Sequence, residues 1–263
     1  MRNIIYILTW FCMCSCLSLQ AQNRDPIQIP LTNPGQDGIL KVNVHNGAIN
    51  VSTHNRNEVE IILKNIDAEN NKKSRSGLRR IEKQDLDVNI SEEDNEVSIS
   101  RSQNSQLDMD IRVPKNFSVF LSTHHNGDVY VSGTSGEIEV SSHHGEIKMD
   151  GVSGSVIANT HHGDIVVSMV DTYNNTPMAF TTYHGDVDIT FPADLNGKLK
   201  MKSSKGDIYT DFDFKATKPK VTTTTKGSKR EIKLEGWTYG QIGSGGDELT
   251  FKTYHGDVII RKN

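Results

Sequence analysis

Between His124 and Ser168 the chain reads HHNGDVYVSGTSGEIEVSSHHGEIKMDGVSGSVIANTHHGDIVVS, and apolar and polar positions alternate along it. Glycine falls at 127, 136, 145, 154 and 163, a constant step of nine residues. Two positions after these glycines stand Val129, Ile138, Ile147, Val156 and Ile165; four positions after stand Val131, Val140, Met149, Ala158 and Val167. Polar or small residues separate them, so each nonapeptide predicts a short strand with one apolar face. The period of two and the β-branched content argue against helix. A second rhythm overlies the first. His143-His144 and His161-His162 recur at eighteen, with His124-His125 one residue further back. Two strands per eighteen-residue unit predict the coil of a β-solenoid. A nine-residue unit is too short to bury its own apolar pair, so neighbouring units must stack to make a core.

The same pattern extends in both directions, less regularly. Ile27 to Leu31, broken by Pro30, predicts an edge strand or a lead-in to a cap. Leu40, Val42 and Val44 alternate up to the turn His45-Asn46-Gly47, and Ile49 and Val51 then hold the +2 and +4 positions. Val59 to Leu63 predicts a further strand. Asp67 to Gln84 is charged and has little apolar pattern, which predicts a surface excursion. Leu86 to Ile90, Val97 to Ile99 and Leu107 to Val113 predict strands, with a hairpin turn at Asp94-Asn95 and a corner at Pro114. After Ser168 the repeat loosens and recurs at Gly185, Gly206 and Gly256. Lys226-Gly227 predicts a degenerate repeat, and Gly236 to Gly246 a glycine-rich loop. Nine or ten coils at about 4.8 Å each would make a rod of roughly 45 Å.

Residues 1–21 predict a signal peptide: Arg2, an apolar run from Ile4 to Leu19, and a small-residue cleavage position at Ala21. The run is too short for a confident membrane span. Residues 22–263 then form one solenoid domain. Cys12, Cys14 and Cys16 all lie in the leader, so the remainder forms no disulfide and has no thiol chemistry. Cys16 is a candidate lipid attachment site, set against ordinary cleavage near Ala21, and export follows from either. Removing Arg2 leaves 28 basic residues of 29 against 33 acidic ones, a net charge of −5 with no footprint for nucleic acid.

The segments VPKN, THHNGDVYV, GEIEVSSHHGEIKMDGVSGSV and THHGDIVV, with the closing GSGGDELTFKTYHGDVIIRKN, resemble the bacterial adhesin-like family of exported, repeat-built β proteins. The resemblance spans about Ile39 to Arg261. It implies an all-β fold, a single-stranded right-handed β-helix, and an adhesin-like or envelope role. It supplies no catalytic or binding residues.

Four groups of residues are candidates for chemistry. His125, His144, His162, His184 and His255 precede repeat glycines, so stacking sets them in one column with rings about 5 Å apart. A ladder offers parallel rather than converging ligands, and the plainer reading is a turn residue copied with the repeat. Stacked imidazoles also resist joint protonation, which predicts lower stability near pH 5. Asp128, Glu146, Asp164, Asp186, Asp207 and Asp257 form a second column. Calcium would relieve its repulsion, but nonapeptide calcium solenoids carry G-G-x-G-x-D and this repeat has one glycine. Tyr130, Tyr183, Tyr209, Tyr239, Tyr254 and Trp237 are candidates for a carbohydrate-stacking face, against an ordinary role at strand edges. Lys72, Lys73, Arg75, Arg79 and Arg80 would suit acidic glycans or headgroups, against a solvated loop.

No G-x-S-x-G, P-loop or H-E-x-x-H occurs, and the acids are spread by the repeat rather than paired. The sequence reading is therefore an exported, non-enzymatic, adhesin-like binding scaffold of the bacterial periplasm, outer membrane or cell surface. Its expected partner is a surface polysaccharide or an envelope protein, not nucleic acid, and it meets a membrane only through a lipid anchor. A glycan-active β-helix enzyme and an envelope accessory or sensor subunit are the alternatives. No residue is assigned as catalytic, cofactor-binding or metal-ligating, and no cofactor is expected.

Overall fold

The computed structural model describes residues 25–64, 86–102, 105–172, 176–218, 221–227, 229–234 and 236–263. The expected leader, Cys16 and the basic cluster at 72–80 lie outside them. The first strands are β1 (Ile27–Pro30), β2 (Gly38–Val44), β3 (Ile49–His54), β4 (Glu58–Lys64), β5 (Asn89–Glu93), β6 (Glu96–Arg101) and β7 (Asp108–Pro114). The regular block follows as β8 (Phe117–Thr123), β9 (Val129–Ser132), β10 (Ile138–Ser142), β11 (Ile147–Ser153), β12 (Val156–Asn159), β13 (Ile165–Asp171), β14 (Met178–Thr181) and β15 (Val187–Phe191). The last strands are β16 (Gly197–Ser203), β17 (Ile208–Thr210), β18 (Phe214–Thr217), β19 (Val221–Lys226), β20 (Lys229–Leu234), β21 (Thr238–Ile242), β22 (Glu248–Thr253) and β23 (Val258–Lys262). All elements among the described residues are strands.

The alternation seen in the sequence is the alternation of burial. In β8 every second residue from Phe117 to Thr123 is buried, and β9, β10 and β15 follow suit. From β6 to β18 consecutive strands belong to opposite sheets, so each eighteen-residue unit of the regular block makes one rung of two facing sheets. The sheet orders are β1-β4-β7-β3-β9-β11-β13-β15-β23-β17 and β18-β21-β16-β22-β14-β12-β10-β8-β2-β6-β5. The rungs pair in parallel, and repeat positions meet in register: Ile138 lies against Val119 and Val156, and Ile165 against Ile147 and Val187. Both sheets feed one apolar core. It widens where Phe180 stacks on Phe251 at 5.3 Å while Phe191, from the opposite sheet, meets both rings nearly edge-on.

The solenoid differs from a single continuous helix in two ways. Eight rungs are present among the described residues, and the order of stacking departs from chain order at both ends. The first rung in sequence, β2/β3, lies between β6/β7 and β8/β9. The last, β22/β23, is inserted between β14/β15 and β16/β17. Only the rungs from β8 to β15 stack in chain order.

Antiparallel strands close three of the four sheet edges, and β17 forms the fourth. β4 pairs with β7 and β1 with β4; β5 pairs with β6; β21 pairs with β16 and β18 with β21. These additions bring the sheets to ten and eleven strands, a width of roughly 45 Å at about 4.8 Å per strand. The expected edge strand at Ile27 and the Asp94-Asn95 hairpin are present, both turn residues having positive φ. The expected strand around Leu86 starts only at Asn89. Two readings in the last third are corrected. Lys226-Gly227 is the turn of a separate antiparallel hairpin, β19/β20, because Ile232 pairs with Thr223 instead of entering a rung. Within Gly236 to Gly246, Thr238–Ile242 is a strand, since Tyr239 and Gln241 alternate outward there.

Two outcomes follow. Gly163 has φ +145°, and a Cβ there would lie 2.2 Å from the carbonyl oxygen of Gly145 in the next rung. Gly151 also has positive φ, but a Cβ there would meet nothing within 4 Å. Gly163→Ala is therefore expected to cost at least about 2 kcal/mol more than Gly151→Ala in urea unfolding; equal costs would contradict the close stacking. Ending the chain at Asp247 removes a rung bonded on both sides, so cooperative thermal unfolding is expected to disappear, whereas the loss of a terminal rung would leave it in place.

Candidate functional site

The chemistry of the chain is concentrated at one corner, where each rung turns from one sheet to the other between a hydroxyl residue and an acid. The hydroxyls come first. Thr123, Ser142, Thr160, Thr182, Thr253 and Ser203 each donate to the carbonyl of a repeat glycine in the adjacent rung, at 2.7–3.1 Å. The acids come last. The amides of Glu146, Asp186, Asp257 and Asp207 donate to the Oδ1 atoms of Asp128, Asp164, Asp186 and Asp257 at 2.7–2.9 Å. The acidic column thus holds rungs together by accepting from backbone amides of the adjacent rung.

Between hydroxyl and acid the backbone itself forms a ladder. The amide of His144 donates to His124, that of His162 to His143, that of His184 to His161 and that of His255 to Tyr183. The glycine amides donate onward in the other sense, Gly145 to His162 and Gly163 to His184. The corner is consequently as regular as the sheets, and its side chains repeat in register.

Two aromatic columns result. The first runs His45, His124, His143, His161, Tyr183 and Tyr254, with neighbouring centroids 4.5–5.2 Å apart and planes within 15°. The second runs His125, His144, His162, His184 and His255, at 4.7–5.5 Å and within 17°. All the histidines of the chain except His54 are in these columns. The spacing expected for the second column is observed. The first column was signalled in the sequence by the His-His doublets and by the shared position of Tyr183 and Tyr254.

Within a column the rings are parallel; between columns they are tilted by 50–78° in the same rung. The tilt lets nitrogens converge, which a single ladder does not. The Nδ1 atoms of His143 and His144 are 2.9 Å apart, as are those of His161 and His162. At that separation one ring must donate and the other accept, so each doublet is held with one Nδ1 unprotonated. His45, His124 and His125 each bring a ring nitrogen within 4.8 Å of the other two, and so do His124, His143 and His144. An open polar groove of about 740 Å³ runs beside them, its lining including Asn43, Ser122 and Ser141 as well as His45, His124 and His143.

The other aromatic candidates do not form one face. Tyr130 and Tyr209 lie on β9 and β17 in one sheet and Tyr239 on β21 in the other. The Tyr209 hydroxyl donates to Asp207 at 3.4 Å, and that carboxylate, followed by Asp257, raises the phenol above its usual range. Trp237 is covered by the ammonium groups of Lys200 and Lys202.

Partial desolvation by neighbouring rings, then the like charges of adjacent histidines, lower His125, His143 and His162 below the ordinary imidazole value. A depressed imidazole takes up fewer protons in the folded chain than in the unfolded one, so stability rises with pH across this window. Above about pH 6.5 both states are neutral there and nothing is gained; below it stability is lost progressively. In chelator-treated protein the melting temperature is therefore expected to fall between pH 7.5 and pH 5, and the fall is expected to shrink when His143 and His162 are both replaced by Gln. A melting temperature that stays constant would contradict the electrostatics of the columns.

No curated protein matches the chain. The crystal structure of a candidate cell adhesion protein from Clostridium sporogenes is similar over 90% of this chain and 100% of its own, at 13% identity and a TM-score of 0.35. The family model described as Toastrack DUF4097 matches residues 9–261, nearly the whole sequence. The chain therefore belongs to the Toastrack DUF4097 family.

Proposed function

We propose that this protein is an exported, non-enzymatic, adhesin-like binding scaffold of the bacterial cell envelope, with the aromatic corner as its contact surface and a right-handed wind in the central rungs. The observation that carries the reading is the double column of rings, fixed to a backbone ladder at about 4.7–5.5 Å spacing over five rungs. A row of identical groups repeated along a rod suits a repetitive ligand, such as a surface polysaccharide or an extended segment of an envelope protein, better than it suits a single reacting centre. Tyr183, stacked between His161 and Tyr254, and Tyr254 itself are partly exposed and line the corner with ring edges and hydroxyls, a row that suits contacts repeated along a polymer. The acids best placed to serve a glycan-active enzyme are the corner carboxylates, and these are already engaged as acceptors for neighbouring amides.

The leader-free chain, tested against an array of bacterial surface glycans and against isolated envelope fractions, is expected to be retained without altering what it binds. Tyr183→Ala with Tyr254→Ala is expected to weaken retention by about tenfold or more, in line with roughly 1 kcal/mol per aromatic side chain removed from the contact. Release of cleaved glycan at steady state would contradict the non-enzymatic reading, and unchanged retention by the double variant would contradict the choice of surface.

A further inference from the structure

The corner is regular except at one place. Thr123 and Asp128 are separated by four residues, where Ser142 and Glu146, Thr160 and Asp164, Thr182 and Asp186, and Thr253 and Asp257 are separated by three. The additional residue is Asn126, which takes positive φ and donates through Nδ2 to Oδ1 of Asn46 in the adjacent rung at 3.1 Å. Its effect is seen in the rings. Further along, His143 and His161 are parallel to 3° and His144 and His162 to 1°, so their nitrogens stay apart in step with the rungs. At the irregular rung His124 closes to 4.5 Å from His143, and His125 approaches His45 to 5.3 Å, where the matching pairs further along stand 6.1–6.2 Å apart. The nitrogens of His45, His124, His125, His143 and His144 accordingly gather in two triads that share His124.

We propose that this irregular corner binds a divalent late first-row transition metal ion of the Zn2+ type, ligated by three imidazoles with His124 common to the two alternative triads. The donor set fits that class. Imidazole suits zinc, copper and nickel ions, while hard cations such as calcium and magnesium take oxygen. A tetrahedral zinc centre with bonds of about 2.1 Å places its nitrogens roughly 3.4 Å apart. The triads span up to 4.8 Å, a gap that small ring rotations close at exposed or half-buried side chains. The Nδ1 that accepts in the His143–His144 contact carries no proton and would exchange its hydrogen-bond donor for the metal. Three neutral ligands leave a fourth position facing the groove, where water or an anion completes the shell.

The columns end as metal sites where the tyrosines begin. Tyr183 and Tyr254 replace the first-column imidazole, so His184 and His255 stand alone in their rungs. The His161–His162 doublet lies between, stacked parallel on its neighbour. The site is thus a product of the Asn126 insertion acting on a copied doublet, not of histidine number alone. The histidines concerned also belong to the proposed contact surface, but metal uptake is read at His124 and polymer retention at Tyr183 and Tyr254, so the failure of one leaves the other standing.

The test is calorimetric titration of Zn2+ into leader-free, tag-free, chelator-stripped protein, with calcium as a control ion. Saturable zinc binding without calcium binding is expected. His124→Ala, which breaks both triads, is expected to weaken it by at least about tenfold, and His161→Ala with His162→Ala by less than threefold. Deletion of Asn126 keeps every histidine and restores the regular corner; with the thermal transition retained, it is expected to weaken binding as His124→Ala does. Absence of zinc binding, or losses that track only the number of histidines removed, would overturn the proposal.

Discussion

The structure depends on the hydrogen bonding that passes from rung to rung through the corner. In a two-sheet stack the strands secure themselves, but the turns between them are where register is ordinarily lost. Here the turn carries its own ladder: a hydroxyl on a glycine carbonyl, amides of the second ring residue on carbonyls of the first, and an aspartate on the next acid's amide. The bonds repeat at the spacing of the sheets, so they tie side-chain position to backbone position. Glycine is required within this ladder because neighbouring backbones approach within the radius of a Cβ. Everything displayed at the corner inherits the regularity, which is why imidazoles 18 or 22 residues apart in sequence come to lie 4.9 Å apart with planes within 13°.

A stack of this kind has two exposed ends, each a row of unpaired backbone groups and an invitation to edge pairing. The chain adds antiparallel strands at three of the four sheet edges, β17 being the fourth, and it places its first and last full rungs one position in from the ends. The final rung is thereby bonded on both sides and seals the contact between β14/β15 and β16/β17. This arrangement gives the fold long-range closure that a sequentially wound helix lacks: residues near the C-terminus complete the interior instead of fraying from it.

Much of the central fold was legible in the sequence because stacking copies a chemical environment, and a copied environment is written as a period. The +2 and +4 positions after glycine are the buried ones from Val129 to Val167, and the histidine spacing follows from the rung spacing. What the period does not carry is the order of rungs. Any rung presents the same apolar pair to its neighbours, so nothing local in β22/β23 says that it belongs between β14 and β16. The hairpin β19/β20 is rich in threonine and lysine around Gly227, and the buried positions of β21 are Gly240 and Ile242, so turn residues outweigh the strand pattern in both. At the corner, the sequence showed a ladder but not the convergence of its nitrogens. The tilt between columns depends on ring rotamers, and its local change depends on Asn126, a single additional residue within an otherwise uniform repeat.

The claim on which these points rest is that the corner is a hydrogen-bonded ladder and not a set of open turns. Native-state amide hydrogen exchange, followed residue by residue, measures this directly. The amides of His144, His162, His184 and His255 are expected to show protection comparable to that of Ile147, Ile165 and Val187 in the flanking strands, all of which donate to an adjacent rung. Exchange at the histidine amides at the rate of solvent-exposed turns, with the strands still protected, would contradict it.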